Sequence, residues 1–338
     1  MRVLKALKHD AEAARKRLSK LGMLEPKYKA FSDDKFVYFP IRTSADASAA
    51  SEYGTFIDVN REKLRNAGHA RYLSPRYSSS VGNASRSYDI LGNIAVIEAG
   101  NASDARKLAK YIMQTNRNVK TVVRKGGAVR GRFRKRKYVY VAGKRNFMAD
   151  YKENGCRFVF DIRKTFFSAR LSFERKRITE TAKDGETVMV MFAGVGPFAI
   201  ELAKARRRSR VIAIELNAYA HDAMEKNIAL NKTGNVTAVK GDAGKAAKSL
   251  RGIADRIIMP LPKDSEKFLD AAFAAAKKKC MVHYYAFGNR DTAFADSKRL
   301  ISDFLKKRGA SARFVFEREV RQYSPSEIEI VLDFIIRK

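Results

Sequence analysis

Two glycines, two carboxylates and the distances between them carry the chemical signal of this chain. Residues 188–200 read V-M-V-M-F-A-G-V-G-P-F-A-I. The apolar run from Val188 to Phe192 suits a strand buried on both faces. Gly194 and Gly196 allow a tight turn and let backbone approach a ligand with no Cβ in the way. Pro197, with no N–H and a preset φ, fits the first turn of a following helix. A second apolar run, 211–214, ends in Glu215, about twenty residues after the glycines, where a carboxylate accepts hydrogen bonds from ribose hydroxyls. Gly241-Asp242, after a third run at 236–239, is placed to reach an adenine edge. The third glycine of the dinucleotide fingerprint and a Walker Lys-Ser/Thr are both missing. What remains is a nucleoside site without a phosphate cradle, which suits S-adenosylmethionine better than NAD or ATP. The plainer alternative is a ligand-free strand-to-helix turn.

The elements that would position these residues alternate in a regular way. After the opening motif, strands are expected at 211–214, 236–239, 256–259, 281–286, 313–316 and 328–335, with helices between them. That pattern predicts an α/β fold over residues 165–338: an open sheet with an antiparallel pair at its end, the arrangement of a class I, Rossmann-like methyltransferase domain. Ligands of such sheets bind beyond the carboxyl ends of the strands. There the fourth strand runs into Pro260-Leu261-Pro262-Lys263, a rigid turn with few free N–H groups that would border a transfer centre.

Two smaller α/β units precede this domain. Residues 1–45 hold a strand at 3–7, a helix capped by Asp10 with Ala11, Ala14, Leu18 and Leu21 on its apolar face, a stop at Gly22, and a strand at 36–41 whose Pro40 argues for a sheet edge. Residues 46–56 read as an Ala/Ser-rich linker. Residues 57–164 form a middle α+β unit, with a Gly-interrupted strand at 90–97, a helix capped by Ser103 and strands at 119–123, 138–141 and 156–160. Between 117 and 137 lies a Gly/Arg-rich stretch with ten basic and no acidic side chains among those that give it its character, suited to phosphate contacts.

The formal net charge of +33 over 338 residues points to a polyanionic partner, and nucleic acid is the fitting one. Halophilic adaptation gives acidic surfaces, so it does not explain the excess. Cys156 and Cys280 are the only cysteines, and the four histidines lack metal-ligand spacing, so no disulfide framework and no metal site is expected. With no apolar run of spanning length and no secretory leader, a cytoplasmic protein is expected.

Near the start of the 165–338 domain, Glu174 stands as a lone acid among Arg170, Arg175, Lys176 and Arg177, either a helix-surface ion-pair partner or a general base. The segment R-L-S-F-E-R (170–175), together with F-A-G-V-G-P-F (192–198), R-S-Y-D-I-L-G-N-I-A (86–95), V-K-T-V (119–122), G-R-F-R (131–134), E-N-G-C (153–156) and Y-S-P (323–325), resembles the archaeal and eukaryotic tRNA (guanine-37) N1-methyltransferases. They share a family with the wyosine-pathway tRNA transferases. The resemblance covers nearly the whole chain in order. It implies a small N-terminal domain that contacts the tRNA elbow, tRNA (tRNA-Phe foremost) as partner, S-adenosylmethionine as cofactor, and a monomer. It also implies roles: Glu174 as the base for the guanine N1 proton, Arg134 against charge building on O6, Arg175 beside cofactor and target, and Phe166 near the cofactor. Pro260 and Pro262 border the transfer. The implied cofactor set is Phe166, Arg175, Phe192, Ala193, Gly194, Gly196, Glu215, Leu216, Asp242, Ala243 and Pro260.

Two positions depart from the family pattern. Pro260 stands where most guanine-37 enzymes carry Asn, and Pro-Leu-Pro resembles the archaeal subgroup that methylates C7 of 4-demethylwyosine to isowyosine, some members of which also make 1-methylguanosine. Val190 stands where the family usually has Asp. The expected function is methylation of N1 of guanosine-37, C7 of 4-demethylwyosine, or both. The alternatives are an N1-only enzyme, an aminocarboxypropyl transferase, and a tRNA-binding protein that has lost catalysis.

Overall fold

The computed structural model describes residues 2–25, 30–32, 36–42, 51–58, 88–99, 101–127 and 136–338. The chain divides into two compact units, Met1–Gly82 and Asn83–Lys338.

In the first unit, β1 (Arg2–Leu7), α1 (Ala11–Lys20), β2 (Phe31–Ser32), β3 (Phe36–Pro40) and β4 (Thr55–Asp58) follow in order. The antiparallel sheet runs β2-β3-β1-β4. Leu4, Ala6, Ala14, Leu18, Phe39 and Ile41 close its core, whereas Leu21 is exposed because the helix has ended by Lys20. Pro40 does not mark an edge strand: β3 is interior. Its neighbour β2 reaches only Val37 and Tyr38, and the Pro40 carbonyl accepts from Glu25 N–H instead. Because β4 pairs with β1 through Thr55–Lys5 to Asp58–Arg2, this unit extends past residue 45, and its last strand takes up the end of the expected linker.

The second unit opens with β5 (Tyr88–Leu91) and β6 (Ile94–Ile97). These form a hairpin rather than one interrupted strand. Gly92 makes the turn at φ +60°, and a Cβ there would lie 1.8 Å from the Asp150 carbonyl oxygen. Helix α2 (Ala102–Thr115) is capped by Asn101, whose Oδ1 accepts from Asp104 N–H at 2.9 Å; Ser103, the expected cap, is already inside the first turn. With β7 (Thr121–Lys125) and β8 (Tyr138–Gly143) the sheet is β5-β6-β7-β8. A hairpin of β9 (Met148–Glu153) and β10 (Cys156–Asp161) follows, turning at Asn154 and Gly155, both with positive φ.

The remaining elements are α3 (Ser172–Thr181), β11 (Thr187–Met191), α4 (Pro197–Ala205), β12 (Arg210–Glu215), α5 (Ala218–Asn231), β13 (Val236–Lys240), α6 (Ala243–Ser249), β14 (Ala254–Met259), α7 (Leu269–Ala275), β15 (Ala276–Asn289), α8 (Ala293–Lys306), β16 (Ser311–Gln322) and β17 (Glu327–Arg337). The sheet order is β13-β12-β11-β14-β15-β17-β16, in which β17 runs antiparallel to both of its neighbours, β15 and β16. This is the expected class I α/β sheet. Both faces are packed, so β11 and the second half of β14 (257–259) read as unbroken apolar runs. The strand order reverses at β11, and the turns after β11, β12, β13 and β14 share one edge of the sheet.

The β9–β10 hairpin is welded to this layer rather than to the middle sheet alone. Asn227 and Asn231, one turn apart on α5, accept from Val159 and Arg157 N–H at 2.8 Å each. Asn231 also donates to the Arg157 carbonyl at 2.6 Å. The expected division at residue 164 therefore cuts through a bonded body.

Candidate active site

The turn after β11 is built for close approach. Phe192, Gly194 and Gly196 all have positive φ, at +58°, +61° and +90°. Such a conformation strains a bulky residue like Phe192, and the ring is held edge-on to Phe268 at 4.6 Å. At Gly196 a Cβ would lie 2.9 Å from both Ile200 and Met224 side chains, so only glycine suits the space and the φ together. Ala193, buried, donates its N–H to the Ile214 carbonyl. The buried Asn227 amide donates to the Val195 carbonyl at 3.1 Å and so ties the turn to α5.

Glu215 closes the turn from the next strand. Its Oε2 accepts from Gly194 N–H and its Oε1 from Asn217 N–H, each at 2.7 Å. Burial raises its pKa, while these amides pull it the other way. Leu216 beside it is half-buried. Asp242 caps α6, its Oδ1 accepting from Gly244 and Lys245 N–H at 3.0 and 3.2 Å, with Ala243 buried behind it. The Phe166 ring is over a third exposed, and its carbonyl oxygen is 3.8 Å from where a Gly194 Cβ would stand. Phe166, Phe192, Gly194, Glu215 and Asp242 thus gather at the carboxyl ends of β11–β13. A Cβ on Gly241 would meet only open space. Two carboxylates, aromatic rings and bare backbone fit a nucleoside with free hydroxyls, and hence S-adenosylmethionine.

The Pro-Leu-Pro turn ends β14 on the same edge. Pro260 and Leu261 are half-buried and Pro262 is buried, with its carbonyl accepting from Phe287 N–H at 3.2 Å. Val190 is a wholly buried core residue of β11, paired with Ala213 and Ile258.

Glu174 and Arg175 do not stand open in this site. Glu174 is fully buried, on neither a helix surface nor an open cleft. Its Oε2 accepts from Arg177 at 2.9 Å and from the Tyr285 hydroxyl at 2.8 Å. Its Oε1 meets Arg318 at 3.0 Å and Arg177 Nε at 3.3 Å. Of these partners Arg318, lying over the Phe173 ring, is the one that faces solvent. Arg175 points into the body instead of toward cofactor or target. It is buried against Glu153 at 2.7 Å and Glu201 at 3.3 Å, with Phe167 and Phe198 on its guanidinium. A guanidinium held between two buried carboxylates is committed to them. Arg134 lies outside the described residues.

The Glu153–Arg175–Glu201 cluster has a pH signature. Burial, with the Glu153 charge beside it, pushes the Glu201 carboxyl up to about 8, even though Arg175 and Asn154 oppose the shift. The folded protein thus holds a proton that the unfolded chain releases near its ordinary value of 4.5. The contribution of Glu201 to stability is greatest in acid and declines as pH rises from about 5 to about 8. Across that window the wild type should lose melting temperature relative to Glu201→Gln, which is neutral at every pH. An unchanged slope in the variant would remove Glu201 as its cause.

Sequence reasoning missed Glu201, Asn227, Asn231 and Tyr285, and gave Glu153 only as part of the E-N-G-C match, with no role. The Asn-x-x-x-Asn spacing on α5 was a usable signal, since it puts two amides on one helix face. A lone Glu in the apolar helix P-F-A-I-E-L-A was another.

Comparison with known proteins agrees with this geometry. The TRM5/TYW2 methyltransferase domain matches residues 149–312, the tRNA methyltransferase 5 N-terminal domain residues 4–49, and the TYW2 N-terminal domain residues 70–146. The tRNA (guanine(37)-N(1))-methyltransferase Trm5b of Pyrococcus abyssi is 33% identical over 339 residues, covering 96% of each chain. The tRNA 4-demethylwyosine(37)-methyltransferase Taw21 of Saccharolobus solfataricus is 34% identical over 248 residues, 72% of this chain and 92% of that one. A solved complex of aTrm5 with tRNALeu superposes with a TM-score of 0.66 at 29% identity, covering 98% of this chain and 99% of that one.

Proposed function

The chain belongs to the TRM5/TYW2 methyltransferase family, and from that premise we propose that it methylates two substrates at one site. It is an S-adenosylmethionine-dependent tRNA methyltransferase acting at position 37. The finer reading is that both N1 of guanosine and C7 of 4-demethylwyosine accept the methyl group, with tRNA-Phe as the carrier of the second. The observation that carries it is the Pro260-Leu261-Pro262 turn. An Asn at 260 would offer a hydrogen-bonding amide to one base edge, whereas Pro260 offers neither a side-chain nor a backbone donor. A turn that imposes no polar match tolerates both guanine and the tricyclic base. Similarity along the whole chain to an N1 enzyme and over most of it to a C7 enzyme supports the same reading.

Bound S-adenosylmethionine supplies an already activated sulfonium methyl. The chain's residues do the rest. Glu215, its carboxylate fixed by two amides, holds the ribose hydroxyls, while Asp242 and Ala243 border the adenine and Phe166 and Phe192 its flanks. The family resemblance gives Arg134 the role of offsetting the charge that builds on guanine O6. Glu174 takes the N1 proton as the methyl–nitrogen bond forms and the methyl–sulfur bond breaks. It does so once Arg318, its solvent-facing partner, turns to the RNA. At C7 the ring gives up its C–H proton after the carbon–carbon bond has formed. Arg175 acts from within, by bracing the β9 end against α4. Among the described residues no helix is long and apolar enough to cross a membrane, and the proposed setting is a monomer in the cytoplasm.

The test is methyl transfer to two tRNA-Phe molecules, one with guanosine and one with 4-demethylwyosine at position 37, read by nucleoside mass spectrometry. Product on both is expected, and Pro260→Asn should shift the balance toward N1. Product on guanosine alone would remove the C7 reading. An unchanged ratio in the variant would remove Pro260 from the argument.

A further inference from the structure

Beyond the Pro-Leu-Pro turn lies a cavity of about 550 Å³ that the transfer chemistry does not use. Pro262 and Lys263 form one wall, Tyr284, Ala286 and Phe287 of β15 its floor, and Tyr323 at the β16–β17 tip its far side. Tyr284 and Ala286 face away from Tyr285, whose hydroxyl donates to Glu174, whereas Phe287, packed on Tyr323, shares the Tyr285 face, so this space wraps the end of β15.

Its chemistry contrasts with the rest of the protein. In a chain of +33, this cavity is bordered by Asp264, Glu266, Asp296 and Glu327. Lys267 pairs with Asp264 and Arg299 with Asp296. Glu266 and Glu327 remain against Lys263. Two carboxylates repel a phosphate and attract N–H donors. Tyr323 is 59% exposed, more than any other large apolar side chain among the described residues, and its ring packs on Phe287 at 4.5 Å. The ring is held in place, since Tyr323 and Ser324 N–H both bind the Glu327 carbonyl, at 2.9 and 3.0 Å. An aromatic face beside carboxylate acceptors stacks a nucleobase and reads its amino edge. The cavity starts at Pro262, in the turn proposed to border the reacting base, which puts it within reach of nucleotides joined covalently to the target.

We propose that this cavity takes the base of a nucleotide flanking the target in the tRNA substrate, stacked on Tyr323 with its amino edge toward Glu327 and Glu266. The assignment rests on the tRNA reading above. Its test uses the full chain and equilibrium binding of three tRNA-Phe molecules: intact, abasic immediately 5′ of the target, and abasic immediately 3′. Tyr323→Ala should weaken binding of intact tRNA roughly tenfold, and Tyr323→Phe should restore it. One abasic tRNA should bind the wild type as weakly, with no further loss when combined with Tyr323→Ala. That arm identifies the nucleotide. Losses that multiply, or two abasic tRNAs that bind like the intact one, would overturn the assignment. Methyl transfer to intact tRNA, followed in the same samples, reports separately on the reaction: coupled binding without product would sink the reaction and leave the cavity's role standing.

Discussion

Glu174→Ala is expected to lower unfolding stability by about 3–5 kcal/mol and to reduce N1 methylation more than C7 methylation. The stability loss follows from what the carboxylate holds. Arg177 bridges it to Asp333 at 2.5 Å, Asp333 binds His283 at 2.7 Å, and His283 meets Arg256, which pairs with Glu186 at 2.7 Å. This buried chain of alternating groups crosses the sheet from α3 to the far ends of β11 and β14. Burial lowers the pKa of His283, so it stays neutral, donating from Nδ1 to Asp333 and accepting at Nε2 from Arg256. Burial also raises the pKa of Tyr285, which keeps its hydroxyl a donor. Removing Glu174 therefore leaves the Tyr285 phenol without its acceptor and Arg177 with Asp333 as its one remaining carboxylate in a dry interior. Urea unfolding measures that loss. The ratio of the two products measures the chemistry: N1 must shed its proton to a base during transfer, whereas the methylated C7 centre is acidic enough to lose its proton to water. If both products fall by one factor, Glu174 supports the scaffold and is not the base.

The catalytic sheet was legible because its signal is local and redundant. The central parallel strands carry runs of apolar residues, and Val188–Phe192 before Gly194 needs no tertiary context. The same holds for Glu215, whose place follows from the length of one strand–helix–strand unit. The middle region was less legible. Strand β9 reads M-A-D-Y-K-E, with no β-branched residue; its pairing with β10 is set by the positive-φ turn at Asn154-Gly155, and β10 is in turn held by amides from α5, about seventy residues away in sequence. No periodicity announces a partner that distant. The positions of Glu174 and Arg175 were illegible for a related reason. A run of charges on a short helix reads as a solvated face, yet this helix lies between two acid-lined interiors, one made by Glu153 and Glu201, the other by Tyr285 and Asp333. Which charges go inside is decided by partners on β9, α4, β15 and β17.

Glu215→Ala should weaken binding of S-adenosylhomocysteine roughly a hundredfold while leaving tRNA affinity unchanged. The loss has two sources. On the proposed cofactor placement the ribose loses a charged acceptor, and the Gly194 and Asn217 amides lose the carboxylate that fixes the turn. Glu215→Gln should do little better, although it matches the shape. Both carboxylate oxygens accept from backbone N–H groups, and a glutamine amide has only one oxygen, so its NH2 must face one of those donors. Calorimetric titration of both variants tests this. If Glu215→Gln retained most of the affinity, the ribose contact would matter and the two amide bonds would not. The wild type adds a pH test with the same logic. Because burial raises the Glu215 pKa, acidification should protonate it earlier than an ordinary carboxylate and weaken the cofactor as pH falls through that value. The Glu215→Ala variant, with nothing there to protonate, should bind weakly and without that acid limb, which separates loss of the carboxylate's charge from general damage to the turn.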